Sequence, residues 1–485
     1  MGKKVRGKQY EEIRSHHRYI AVILLIPIIT FNYKPEQISV IDNRKLAELP
    51  TVTSDTPVTD LIKELNSYVN DRIGLRDYFI TSSVILQDKL FGVLVHPLYT
   101  NGKEGYVFLK LNPQLTDFDY INEFVDFVAK LQDYCRQRNA VFLFSLEPSK
   151  QIVYEQYLPE GVNYKNDRLE VMLKGLAEKK INYVYTAPAL IEASKELKVY
   201  NVKYDAGHWN DHGAFVGISI ILKNLQNNYP SLSLPKKEDY DISYELRTSL
   251  PVSYHPIREE VPVYTLKNPQ TVRLDTYKDE IKLNETGWYY SYCLNPNKPT
   301  APKILVFMGS YFLGKEKYIA ESFSKTVFVH SYKNIQDIDY YFNIFQPDIV
   351  LFQTVDYATK DLYYPLNLIR DVEYSPAYNT MENLPTADFA SVAAKTGQEW
   401  RKVALDSDRQ LVDFTIPVSG DRISYAYAQI NDEFYDFRVV SQQGEQMISI
   451  TLDKNIILSA RSMQIILISA DKTMQRKIPL DFGLK

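Results

Sequence analysis

Residues 303–314 read K-I-L-V-F-M-G-S-Y-F-L-G, and they decide how the rest of the chain is divided. Ile304, Leu305, Val306, Phe307 and Met308 form an unbroken apolar run that passes straight into Gly309 and Ser310. A run of that length closed by a turn residue is a strand; it is too short for a buried helix. Similar units lie upstream. Ile121, Phe124, Val125, Val128 and Leu131 make one helix face after Asp117, and residues 141–146 are a strand of the buried kind ending in E-P-S-K. Then come a helix at 168–179, a strand at 181–185, a helix at 188–197, a short strand at 199–204 and a helix at 211–225. Downstream, strands at 326–330 and 347–352 flank a helix at 335–345. Strand and helix in alternation build a mostly parallel sheet with helices on both faces, an α/β fold.

Two regions depart from that alternation. Residues 228 to about 300 are Pro-rich, charged and broken into short strand-like pieces, as in an insertion. From about residue 390 strands follow one another at 411–418, 422–431, 434–440, 446–452 and 463–469, with turns such as S-G-D between them. The expected division is a leader and apolar segment over 1–34, an α/β catalytic domain over 35–385, and a β-sandwich over 390–485 that could hold carbohydrate.

The 485 residues are 45% hydrophobic and 24% charged, an ordinary globular composition for two or three domains. Six Lys/Arg against Glu11 and Glu12 give residues 1–18 a charge of +4, so the net −4 leaves −8 on the remainder. That body has no basic face for nucleic acid. Cys135 and Cys293 are too few for a disulfide framework and leave either one bridge or two buried thiols. Residues 19–31, Y-I-A-V-I-L-L-I-P-I-I-T-F, follow the basic leader without a charge and without a small-x-small cleavage site. The expectation is an uncleaved single-pass anchor, basic end in the cytoplasm and body outside, with a cleaved signal peptide as the alternative.

Chemistry concentrates in residues 204–217, Y-D-A-G-H-W-N-D-H-G-A-F-V-G, which hold two of seven histidines, two carboxylates and one of three tryptophans. A serine hydroxyl needs a base within hydrogen-bond reach and usually a carboxylate to orient that base. Asp205 stands three residues before His208, a D-x-x-H spacing, and Ser310 follows a strand and Gly309, where a turn exposes the hydroxyl and aims backbone N–H groups at an oxyanion. The other chemistry is a metal held by Asp205, His208, Asp211 and His212. It lacks the glutamate of H-E-x-x-H, and a helix starting after His208 would turn His212 to solvent.

The order of motifs resembles the alginate O-acetyltransferase family of SGNH-like proteins, the AlgJ/AlgX type, and the related DHHW-motif proteins. The motifs are D-N-R-K-L-A-E-L-P at 42–50, Y-V-N-D-R-I-G-L-R-D at 68–77, G-K-E-G-Y-V-F-L at 102–109, E-P-S-K-Q-I-V-Y at 147–154 with L-P at 158–159, D-A-G-H-W at 205–209 and M-G-S-Y-F at 308–312. The resemblance implies a circularly permuted SGNH fold, a flavodoxin-like parallel sheet. By it His208 is the base and Ser310 the nucleophile, with Gly309, Tyr311 and Trp209 in the oxyanion or substrate neighbourhood, Trp209 there to pack the loop rather than to touch substrate. Asp205 stands one residue further from the histidine than in the family. Lys150 matches a family position and is read as structural.

The function so implied is an extracytoplasmic O-acetyltransferase acting on a cell-surface or exported polysaccharide, without cofactor or metal. It would be acetylated by a multispanning membrane acyltransferase and would transfer the acetyl group to a sugar hydroxyl. A polysaccharide acetyl esterase using the same residues, and a non-catalytic assembly scaffold, are the alternatives.

Overall fold

The computed structural model describes residues 25–485 except 27, 34–37, 40–43, 52–56, 92–93, 95, 97, 111–116, 163, 165–166, 252–254, 285–288, 393–395, 443 and 482–485. A two-residue antiparallel pairing of Ile38–Ser39 with Arg44–Lys45 precedes two helices, α1 (Val58–Arg72) and α2 (Arg76–Phe91), interrupted around Gly74. A small hairpin, β1 (Tyr99–Asn101) and β2 (Val107–Leu109), leads to α3 (Phe118–Gln137). Asp117 caps α3 by accepting the Tyr120 N–H at 3.0 Å, and the expected face of Ile121, Phe124, Val125, Val128 and Leu131 is buried against the sheet.

Strand β3 (Val141–Glu147), helix α4 (Asp167–Glu178), strand β4 (Tyr183–Tyr185) and helix α5 (Asp211–Leu225) follow. Then come a hairpin, β5 (Tyr240–Ser249) and β6 (Pro256–Leu266), and the strands β7 (Val272–Leu274), β8 (Tyr290–Leu294), β9 (Lys303–Met308) and β10 (Lys325–His330). Helix α6 (Ile338–Phe345) and strand β11 (Ile349–Val355) complete the first sheet. Its order is β4-β3-β11-β9-β10-β8-β7. The first five strands are parallel, whereas β8 and β7 add an antiparallel edge. Part of the stretch expected as an insertion therefore extends the sheet. The chain moves from β9 out to β10 and returns to β11 on the other side of β9. Ser310 thus leaves the sheet where the strand order reverses, the place where ligands gather in open α/β sheets.

Residues 199–204, expected as a strand, join no sheet; they contribute one isolated bridge, between Tyr200 and Trp209. The N–H groups that would have formed a ladder are taken by a side chain, as described below.

The C-terminal region contains β12 (Ala390–Val392), helix α7 (Gly397–Asp406), β13 (Leu411–Gly420), β14 (Ile423–Ile430), β15 (Glu433–Gln442), β16 (Glu445–Asp453), β17 (Met463–Ser469) and β18 (Gln475–Leu480). The expected strands are present, but the expected sandwich is corrected to one seven-stranded antiparallel sheet in the order β12-β13-β16-β15-β14-β17-β18. Its two ends approach each other. Thr386 bridges to Gln475, and Arg476 donates to the Ala390 carbonyl at 2.5 Å, so the sheet is nearly closed like a barrel. The reason is a single interior. Trp400 of α7 is buried inside and stacks on Phe414 at 3.7 Å, and a sheet wrapped around such a plug buries one face without dividing into two layers. The two regions are tied by Asp436 of β15, which accepts from the Tyr134 hydroxyl at 2.7 Å and from Arg138 at 2.7 Å.

Among the described residues no helix is long and apolar enough to cross a membrane. This corrects the expected single-pass anchor and the extracytoplasmic placement built on it; residues 19–24 and 27 of that run lie outside the described residues. Cys135 and Cys293 are both buried free thiols.

Candidate active site

Ser310 opens a single 3-10 turn, Ser310–Phe312, directly beyond β9, with Gly309 extended between them. Because β9 is paired on both sides, backbone hydrogen bonds fix where that turn begins. The Gly309 N–H donates to Gln353 Oε1 at 2.6 Å, Gln353 Nε2 donates to Glu147 Oε2 at 2.6 Å, and Ser145 Oγ donates to Glu147 Oε1 at 2.6 Å. The carboxyl ends of β3, β11 and β9 are thereby linked beneath the serine. Burial pushes the Glu147 carboxyl up to about 8, against the hydrogen bonds from Ser145 and Gln353.

The opposite half of the site is built without a strand. The backbone N–H groups of Val202, Lys203 and Tyr204 all donate to the Glu259 carboxylate on β6, at 2.6, 2.8 and 2.6 Å. The Val202 carbonyl accepts from Lys150 Nζ at 3.0 Å, and the same ammonium donates to Val107 O at 2.7 Å. Burial lowers Lys150 to about 7, with Glu259 and Asp205 opposing the shift. Charge-assisted bonds to backbone are about twice as strong as neutral ones, so this clamp replaces the missing ladder.

Asp205, the next residue, has φ +49°, a left-handed conformation that aspartate tolerates better than most side chains. The kink turns its carboxylate back over the loop. Asp205 Oδ1 accepts the His208 N–H at 3.2 Å and lies 2.7 Å from His208 Nδ1; His208 Nε2 lies 2.9 Å from Ser310 Oγ. The three side chains form one continuous relay although Ser310 follows His208 by 102 positions. His208 and Asp205 are about one third exposed, at 33% and 34% of the side chain, so the relay is open to solvent. Burial raises the Asp205 carboxyl, yet the His208 charge and the N–H groups of His208 and Gly207 outweigh it and hold the group below its ordinary value. Burial lowers His208, but the Asp205 charge and hydrogen bond raise it further, leaving the imidazole above its ordinary value despite an opposing charge on Lys315.

Of the neighbours expected around substrate, Gly309 has its N–H committed to Gln353. Tyr311 and Trp209 support the loop from within. The Tyr311 hydroxyl donates to Gly207 O at 2.6 Å, its ring meets the His208 ring edge-on at 5.2 Å, and Trp209 Nε1 donates to Tyr311 O at 2.7 Å. Both rings are at most 2% exposed. Gly217 lies under the indole; a Cβ there would come within 2.3 Å of the Trp209 ring.

Asp211 and His212 turn the other way. Asn210 caps α5 by accepting the Gly213 N–H at 3.1 Å, which carries the next two side chains toward the hairpin. Asp211 is buried, accepts the Tyr264 N–H at 2.7 Å and pairs with Lys315 and with Lys317, the latter at 3.1 Å. His212, expected to face solvent, is buried, with Nδ1 at 2.8 Å from the Tyr264 hydroxyl. The four side chains weighed as a metal set thus divide between two sides, and among the described residues no three His, Cys, Asp or Glu are grouped to hold a metal ion.

Sequence reasoning missed Glu259, Gln353 and the Asp211–Lys315 pair. Gln353 left a signal, a polar residue inside the apolar strand I-V-L-F-Q-T-V. Glu259 left none, since its partners are backbone N–H groups more than fifty residues away.

No known protein family matches the chain by sequence profile, and no curated protein matches it. Several solved structures are similar to it. Bacillus cereus PatB1 with a sulfonyl adduct is 19% identical over 54% of this chain and 96% of that one, with a TM-score of 0.43. The O-acetyltransferase domain of Pseudomonas putida AlgJ is 12% identical over 57% of this chain and all of that one, with a TM-score of 0.40. A DHHW family protein from Eubacterium siraeum is 14% identical, again over 57% of this chain and all of that one, with a TM-score of 0.38. The two kinds of protein that the motif order resembles are thus among the chain's structural neighbours; at these scores the likeness carries no functional inference.

Proposed function

We propose that the chain is an SGNH-type O-acyltransferase that moves an acetyl group onto a hydroxyl of a polysaccharide through an acyl-Ser310 intermediate. The observation that supports this reading is the relay of Asp205, His208 and Ser310, joined by contacts of 2.7 and 2.9 Å at the carboxyl end of a central strand.

In the first half-reaction Ser310 Oγ attacks the acyl carbonyl and passes its proton to His208 Nε2, while Asp205 stabilises the imidazolium through Nδ1–H. The oxyanion of the tetrahedral intermediate meets the backbone N–H of Ser310 at the start of its 3-10 turn. Collapse breaks the bond to the donor oxygen, which takes the proton from His208 as it leaves. In the second half-reaction a sugar hydroxyl gives its proton to His208 and attacks the acyl-serine. The new ester departs, and the proton returns to Ser310 Oγ. No step needs a metal or cofactor. If water takes the sugar's place, the same residues make an esterase, and only the fate of the acyl group separates the two.

The test is intact-mass measurement of the full chain with p-nitrophenyl acetate, with and without an oligosaccharide acceptor. Expected is one acetyl group on Ser310, absent in Ser310→Ala, and discharged faster by oligosaccharide than by water with acetyl appearing on the sugar. Discharge that ignores every sugar would replace transfer by hydrolysis. No acylation at Ser310 by any activated ester would end the enzymatic reading.

A further inference from the structure

The hairpin β5–β6 that carries Glu259 also closes one side of a cleft of about 620 Å³. Its other wall comes from residues flanking the Asp205–His208 loop. Asn201, Asn210 and His212 line it from the body, and Tyr244, Leu246 and Arg258 from the hairpin. The relay side chains are not part of this lining.

Two of the lining polar side chains are about nine-tenths buried or more and still present an uncommitted atom. Asn201, 6% exposed, accepts from Asn210 Nδ2 through its Oδ1 at 3.1 Å. Asn210 is itself fixed by the Lys198 carbonyl at 2.5 Å and the Gly213 N–H at 3.1 Å, so the orientation of the pair is set. Asn201 Nδ2 is left with no partner among the described residues. His212, 9% exposed, spends Nδ1 on the Tyr264 hydroxyl and leaves Nε2 with no partner among the described residues. Both atoms remain open to the cleft, so a ligand there can take up their hydrogen-bonding capacity. Facing them is Tyr244, 59% exposed, whose ring stands 6.4 Å from the His212 ring; Ile242 and Leu246 continue the same exposed face of β5.

An amide and an imidazole on one wall and a flat aromatic and aliphatic wall opposite suit a pyranose ring, which has hydroxyls at its rim and apolar C–H faces. The charges select further. Lys198 and Arg258 stand against Glu196 and Glu260, and Glu259 is consumed by three backbone N–H groups, so nothing draws in a polyanion. We infer that this cleft binds the acceptor as an uncharged oligosaccharide segment, at a site beside the relay and separate from it. Its role as an acceptor site presumes the acyl transfer proposed above.

Binding is measured in the full-length Ser310→Ala protein, by calorimetry and saturation-transfer NMR. The probes are cellohexaose, chitohexaose and maltohexaose as uncharged chains and hexagalacturonate as the polyanion. At least one uncharged chain binds, hexagalacturonate does not, and both Tyr244→Ala and Asn201→Leu weaken the binding by about tenfold or more. Tyr244 is an exposed side chain, so its truncation keeps the test valid if Asn201→Leu fails to fold. The inference is overturned if no uncharged chain binds, if binding survives Tyr244→Ala unchanged, or if the polyanion is preferred. Ser310-dependent ester turnover without oligosaccharide binding sinks the cleft alone. Tyr244-dependent binding without Ser310-dependent turnover sinks the acyl-transfer function and leaves the cleft as a glycan site.

Discussion

The two halves of the candidate active site are held by different forces. Ser310 follows a strand hydrogen-bonded on both sides, and the turn beneath it is tied by buried side chains of two neighbouring strands. Asp205 follows a stretch with no strand partner, held by Glu259 and Lys150, and the Lys315 charge acts on His208 from across the site. A backbone ladder spreads its load over many bonds, whereas a clamp of three N–H groups on one carboxylate concentrates it. The serine half should therefore tolerate changes around it that the acid–base half does not.

Removing the groups proposed to react should have the largest effect and fall equally on both halves. Ser310→Ala and His208→Ala should each lower kcat for acetyl ester turnover by about four orders of magnitude or more, with the double substitution no worse, because the groups act as a unit. Near-unchanged thermal midpoints would show that the loss is chemical. A drop of only a few-fold in either variant would remove the relay from the mechanism.

The next test separates the halves. Glu259→Gln keeps one acceptor oxygen but loses the charge that gathers three N–H groups. Loosening the Asp205 loop should lower kcat by about ten- to a hundredfold while KM for a small ester stays constant. Glu259→Asp should behave no better, since the shorter side chain misses the loop. A fall in stability with full activity per folded molecule would make Glu259 a structural prop only.

What could be read from the sequence follows the same division. Ser310 was legible because five apolar residues and a glycine precede it and strand β9 needs nothing else to be recognised. Asp205 and His208 were legible as residue types at a chemical spacing. Their support was not, since Glu259 and Tyr264 lie in the stretch that looks like an insertion, and a buried His212 looks the same on paper as an exposed one. In the C-terminal region the strands stood within about two residues of their expected bounds, because alternation is local. Closure was not legible: it depends on Thr386 meeting Gln475 and on Trp400 entering the interior, contacts that no local pattern encodes.

A smaller effect is expected from the packing that joins the halves. Gly217→Ala places a methyl group 2.3 Å from the Trp209 ring, and the indole can move only by disturbing its bond to the Tyr311 carbonyl. Overpacking of this kind costs about 1–3 kcal/mol. Chemical denaturation should show that loss at an unchanged m-value, with activity reduced because Trp209 adjoins His208. Wild-type stability would mean that the indole has room to shift.

The subtlest test concerns charge. In the proposed mechanism His208 acts as a base only when neutral, so kcat/KM should rise with pH along a limb set by its pKa in the free enzyme. Burial lowers that pKa, Asp205 raises it by more, and Lys315 lowers it, the balance lying above the ordinary imidazole value of 6.5. The acid limb should therefore sit above pH 6.5 in the unsubstituted chain. Lys315→Gln removes a positive charge while keeping a hydrogen-bond donor for Asp211; the imidazolium becomes easier to form, and the limb moves to higher pH. Asp205→Asn removes the anion, so the limb moves to lower pH, by more than Lys315→Gln moves it upward because Asp205 is the stronger influence, and kcat falls sharply as the histidine loses its orienting partner. Limbs that move in the same direction in both variants would mean that the acid–base half is governed by loop position alone, and that its charges serve only to hold the loop.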